Sequence, residues 1–203
     1  MKRKEKTTGG RKKVLTIVIV CLAVLVVFGV LVLLDYSNSH EVVWLGKYKG
    51  LKVSAEGADS PEDALLRVIV QRTKFGNALD DKIDAKYDKT MKYFKDEAEY
   101  FKLDFAEYLK TYYQTDEKEF EKTIRSTSED EAKQEAVLRA VAEKESIQFT
   151  EEELEAMLPE LMEAYGYTDE TLFSRAYNFA DLREEQLFKK VTQYLMEQNT
   201  IMD

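Results

Sequence analysis

The sequence predicts an all-α fold behind an N-terminal transmembrane helix. Three observations carry that prediction. The chain holds only Pro61 and Pro159, and just five of its glycines lie after residue 34, so helix breakers are scarce. Apolar residues recur at helical spacing, most plainly Leu79, Ile83, Tyr87, Met91, Phe94, Ala98 and Phe101, at steps of 4, 4, 4, 3, 4 and 3. Residues Val14 to Leu34 carry no charge, and 21 residues at 1.5 Å each give about 31 Å of helix, enough to cross a hydrocarbon core.

Residues 1–13 carry seven Lys or Arg against one Glu and read as a cytoplasmic basic tail. Residues 14–34 are the anchor. Basic flanks stay inside, so the remainder is expected outside the cell membrane, in a single-pass arrangement. A cleaved signal peptide would have a 7–15-residue apolar core, and this run is longer. Cys21 lies within the run, without small residues before it, and reads as a buried thiol.

The chain has 30 basic and 39 acidic residues. Setting aside the seven and one in the tail leaves 23 and 38 outside, a net charge of −15. That balance argues against nucleic acid as a partner and against lying flat on anionic lipid. No cysteine follows residue 21, so the exterior part holds together by packing alone.

Residues 35–59 read as a tether with a short strand-like segment. Val42–Leu45 is an apolar run, and Leu51 and Val53 alternate with polar residues. Residues 60–203 read as the helical domain. Ser60 caps a first helix with Pro61 in its opening position, and Gly76-Asn77 is expected to end it. The Leu79–Phe101 stripe forms the second helix, about 34 Å long. Asp104 caps a short third one bearing Phe105, Tyr108, Leu109 and Tyr112.

Thr115 is expected to start a long charged helix running to about Glu145. Thr150 and Glu153 form a capping box for the next, which Gly166 closes; Pro159 inside it is expected to kink it. Thr168 is expected to cap a final helical stretch with a break near Asn178.

Catalytic chemistry has little to work with. His40 is the only histidine, so His-based metal sites and Ser-His-Asp or Cys-His nucleophiles have no partners. There is no Gly-rich phosphate loop. Glu151-Glu152-Glu153 reads as a charge cluster suited to a helix N-terminus. No catalytic residue, cofactor or metal ligand is assigned.

The phrase from Ala136 to Leu154, Ala-Val-Leu-Arg-Ala-Val-Ala-Glu-Lys-Glu-Ser-Ile-Gln-Phe-Thr-Glu-Glu-Glu-Leu, resembles the C-terminal, substrate-binding domain of bacterial trigger factor. There a long helix ends in an Ala-Ile-Ala-Glu-Lys-Glu-x-Ile-like phrase before a Thr-capped helix. Tyr165-Gly166-Tyr167 is similar to the turn that follows, and Lys190–Leu195 to the phrase closing the last helix. Leu45–Val53 is similar to the family's link from its ribosome-docking to its isomerase domain. The resemblance spans roughly residues 45–54 and 85–198.

It implies a helical body with arms that cradles unfolded chains. Only 29 residues separate Val53 from Ile83, too few for an isomerase domain, and the anchor stands where the ribosome-docking domain would be. Neither activity is carried over. The expected function is a membrane-anchored extracytoplasmic chaperone. It would hold unfolded or newly exported polypeptides by apolar contact, and its acidic charge would favour positive segments. Tyr108, Tyr112, Tyr113, Phe149, Met157, Met162, Tyr165, Tyr167 and Phe173 are the candidate contact residues. An adaptor ectodomain docking one folded envelope partner is the alternative, and a prolyl isomerase by family association a second.

Overall fold

The computed structural model describes residues 43–202. The basic tail and the Val14–Leu34 anchor lie outside the described residues. Among the described residues, no helix is long and apolar enough to cross a membrane.

The fold is mostly helical, with two small two-stranded sheets. Its elements in order are β1 (Val43–Trp44), β2 (Lys52–Ser54), α1 (Pro61–Gln71), β3 (Lys74–Phe75), α2 (Ala78–Tyr100) and α3 (Phe105–Tyr112). They continue with α4 (Glu117–Glu145), α5 (Glu151–Ala164), α6 (Glu170–Ala176), α7 (Phe179–Glu197) and β4 (Thr200–Met202). Strands β1 and β3 pair antiparallel, with Val43 opposite Phe75 and Trp44 opposite Lys74. Strands β2 and β4 pair in parallel, with Val53 opposite Ile201.

Local chemistry sets most helix starts. The Ser60 hydroxyl accepts from the Asp63 N–H, and Pro61 takes the first position of α1, where no N–H is needed. Asp104 accepts from the Glu107 N–H at 2.8 Å and starts α3. Thr150 and Glu153 form the expected reciprocal capping box on α5. Asn178 accepts from the Ala180 N–H and starts α7 at the expected break.

Some boundaries differ. Asp116 rather than Thr115 caps α4, and Asp169 rather than Thr168 caps α6, because each carboxylate reaches backbone N–H groups inside the first turn. Helix α1 stops at Gln71, well before Gly76. Thr73 turns its hydroxyl back to the Ile69 carbonyl, and Lys74–Phe75 go extended to meet β1. Pro159 is accommodated within α5 without ending it.

The main core gathers Leu51 and Val53 with Leu65 and Ile69 of α1, Val137 and Val141 of α4, and Val191 and Leu195 of α7. The 35–59 segment is therefore not only a tether: Tyr48, Leu51 and Val53 are buried in the body. Asn199 locks this end. Its side-chain oxygen accepts from the Leu51 N–H at 2.8 Å, while its amide donates to the carbonyls of Tyr48 and Leu195. Neither β4 nor its parallel pairing with β2 was expected from the sequence.

Two arms leave this body. Helices α2 and α4 run antiparallel, since Leu79 and Ile83 share a cluster with Ala132 and Ala136, whereas Phe94 stacks edge-on against Phe120. Helix α3 folds over the end of this pair, burying Tyr108 and Leu109 with Met91 and Ala98. The second arm is α5, α6 and the start of α7, packed around Leu154, Leu161, Phe173 and Leu182.

Candidate functional site

An open cleft of about 970 Å³ lies in the second arm. Leu154, Leu158 and Met162 recur every fourth residue along α5 and present one apolar strip to it. Tyr167 and Phe179 face it from the other side. Leu154 is buried at the base, Leu158 and Met162 are half-buried, and Phe179 is exposed.

Chain geometry shapes the cleft. Gly166, at a positive φ of 75°, ends α5, and the Tyr167 N–H returns to the Met162 carbonyl at 2.7 Å. That turn brings Tyr167 back beside Met162. Phe173 sits beneath, fully buried, with the rings of Tyr167 and Tyr177 5.5 and 4.8 Å away. Pro159 also borders the cleft and has no N–H to give the carbonyl of Glu155, another lining residue.

The rim is acidic. Glu151, Glu155, Glu163 and Glu170 border the cleft against Arg183, and all five are exposed. A salt bridge behind the cleft ties the arm to the body: the Lys190 ammonium donates to Glu153 at 2.8 Å and to the Gln148 carbonyl at 2.9 Å. The Lys190 bond, with the backbone bond at Thr150, holds the Glu153 carboxyl below the ordinary range. Lys190 also lies over the Phe149 ring.

The expected contact residues divide into three groups. Met162 and Tyr167 line the cleft. Tyr165 is exposed beside it, 4.8 Å from the Tyr177 ring, while Met157 and Phe149 are half-buried in the arm's packing. Tyr112 and Tyr113 are exposed on the other arm.

Tyr108 and Phe173 are corrections. Tyr108 is only 2% exposed, clustered with Met91 and Ala98 of α2 and Phe120 of α4, and its hydroxyl donates to Glu97 at 2.7 Å. Burial comes first among the causes that push its phenol pKa up. Phe173 is the centre of the second arm's core. Both are supports for neighbouring rings, not surface.

The structure adds residues that periodicity did not separate from core. Leu158 and Phe179 face the cleft, although the i, i+4 spacing of Leu154, Leu158 and Met162 looks like any buried stripe. On the first arm, Tyr100 is 82% exposed, and Tyr93, Phe101, Tyr112 and Tyr113 are also exposed around it. Phe101 packs against Tyr100 at 5.4 Å and against Tyr112 at 5.3 Å, while Tyr93 and Tyr113 pack on Phe94.

Among the described residues, no group of His, Cys, Asp or Glu is placed to hold a metal ion. The arrangement offers apolar and aromatic surface under a negative rim, which is a binding chemistry. Comparison with curated proteins gives no significant match. Residues 52–200 match the family model described as the bacterial trigger factor protein C-terminus. The match takes in β2, both arms and the closing helix α7, and by that extent the chain belongs to the trigger factor C-terminal family.

Proposed function

We propose that this protein is a membrane-anchored chaperone that holds unfolded or newly exported polypeptides on the outer side of the cell membrane. The family is the chaperone part of trigger factor, not its isomerase domain, and supports binding of unfolded clients. The observation that carries the reading is the cleft of about 970 Å³, with Leu158, Met162 and Tyr167 on its walls and four glutamates at its rim. An apolar strip accepts varied side chains without shape selection, and methionine adapts to each. The negative rim favours client segments carrying Lys or Arg.

The anchor reading rests on the uncharged Val14–Leu34 run and the basic residues before it. A tether of this kind raises the local concentration of the holder where chains emerge. The test is aggregation of a chemically denatured protein in the presence of the full chain in lipid nanodiscs. Suppression at a few-fold molar excess, lost in L158D/M162D, is the expected result. Normal aggregation at that excess rejects the reading. Protease added outside intact spheroplasts should cleave the helical domain; full protection rejects the extracytoplasmic placement.

The exposed rings around Tyr100 and Tyr112 favour a second reading, an adaptor that docks one folded envelope partner through the tip of the first arm. Crosslinked pulldown separates the two: one stoichiometric partner supports the adaptor, many unfolded clients the chaperone.

A further inference from the structure

We propose that Trp44, Lys47, Arg72 and Lys74 form a docking face for anionic lipid headgroups, which sets how the helical body stands on the membrane. The inference rests on the membrane-anchored reading and adds a second, reversible contact to it.

Four observations place these residues together and leave them open. Trp44 stands opposite Lys74 in the β1–β3 ladder. Gly46 packs so closely on the Arg72 backbone that an added Cβ would lie 2.1 Å from the Arg72 carbonyl oxygen, so Lys47 follows directly on that contact. Trp44 is 51% exposed, and Lys47, Arg72 and Lys74 are exposed around it. Among the described residues, none of these three cations is held in an ion pair. Several cations elsewhere are tied down, as Lys49 to Glu145, Lys86 to Glu135 and Lys190 to Glu153.

Three basic residues together beside an exposed tryptophan stand out on an exterior of net charge −15. Its place in the chain selects its occupant. Only residues 35–42 separate Leu34 from β1. The ten residue steps from Leu34 to Trp44 reach at most about 35 Å when fully extended, so an inserted anchor keeps Trp44 within that distance of the bilayer. Tryptophan favours the headgroup layer, and Lys and Arg favour an anionic surface. Glu41 lies outside the described residues; the nearest described acids in sequence, Asp80 and Asp81, are in the first turn of α2, where they meet the positive end of that helix. The remaining acidic surface is repelled by anionic lipid. Attraction at one face and repulsion over the rest favour one orientation of the body on the membrane.

Trp44 is the only tryptophan in the chain, so its fluorescence reports this face alone. The full chain is reconstituted in vesicles of neutral phosphatidylcholine, or of phosphatidylcholine with phosphatidylglycerol, each with a brominated-lipid quencher. Flotation after alkaline carbonate washing reports the anchor separately. The expected result is flotation with both lipids, and at least twofold stronger Trp44 quenching in the anionic vesicles. That excess disappears in K47E/R72E/K74E and persists in K47R/R72K/K74R. In the wild-type chain, 0.5 M salt removes it, which tests the contact without any substitution. Equal quenching in both lipids, in a chain that floats, overturns the docking face and leaves the anchor standing. A chain that does not float overturns both. Binding of a protein partner at this face would appear as Trp44 shielding that ignores lipid charge, and would also overturn the proposal.

Discussion

The Tyr48 hydroxyl donates to the Glu145 carboxylate at 2.6 Å across a separation of 97 residues. Tyr194 donates to the other oxygen of the same carboxylate at 2.6 Å, and Lys49 pairs with it at 2.7 Å. One side chain at the end of α4 thus fastens the loop before β2 to helix α7. The bonds from Lys49, Tyr194 and Tyr48 draw the Glu145 pKa down from 4.5 to about 2. Burial, followed by the Glu145 bond, pushes Tyr48 up to about 12.

A depressed carboxyl pKa stabilises the fold above its unfolded value, and the contribution fades as acid carries the pH from about 4.5 down through about 2. E145Q is therefore expected to melt below the wild type at pH 7. The gap between their melting curves should close progressively across that acid window. A gap that stays constant from pH 7 to pH 2 would contradict the assignment.

Client binding is expected to follow the α5 strip. L158D/M162D places two charges on an apolar wall while Leu154 and Leu161 keep the arm packed. Affinity for an unfolded, Lys-containing peptide should fall about tenfold, the loss of roughly one buried apolar contact. Fluorescence anisotropy of a labelled peptide measures it, with circular dichroism confirming unchanged helix.

Phe173 and Tyr112 should behave oppositely. F173A empties the centre of the second arm and is expected to cost about 3–5 kcal/mol. Y112A, at an exposed ring, should change stability by no more than about 0.5 kcal/mol. Urea unfolding of both variants decides whether Phe173 is core or contact surface.

Ser146 ends α4 in the left-handed conformation, at φ 55° and ψ 35°, so that the Ile147 N–H reaches the Ala142 carbonyl at 2.8 Å. A side chain there is strained, and glycine is not. S146G is expected to gain about 1 kcal/mol, which raises the melting temperature by about 2–4 °C in a domain of this size. Calorimetry reads it directly.

What the sequence disclosed was local. Thr150 and Glu153 are three residues apart and cap their own helix, so their pattern is complete within one turn. Leu79, Ile83, Met91 and Ala98 kept to one face because α4 covers that face along its length. The same reasoning failed where the covering element is remote or ends. Phe101 continues the stripe yet is exposed, since it stands at the C-cap of α2. Tyr108 and Phe173 looked like available aromatics because each stands in a local run of rings, Phe101, Tyr112 and Tyr113 for one and Tyr167 and Tyr177 for the other, and periodicity does not say which ring turns inward. Strand β4 is three residues long, too short for alternation to register, and its partner is far away in sequence.

The parallel pairing of β2 with β4 has a cost in time. Lys52–Ser54 are made early, and their partners Thr200–Met202 come almost 150 residues later. At ordinary synthesis rates of about 5–20 residues per second, the wait is roughly 7–30 seconds. Until then the edge of β2 is open and Asn199 has not arrived to accept from Leu51. The body thus passes through a vulnerable infancy, which ends only when Asn199 and β4 emerge.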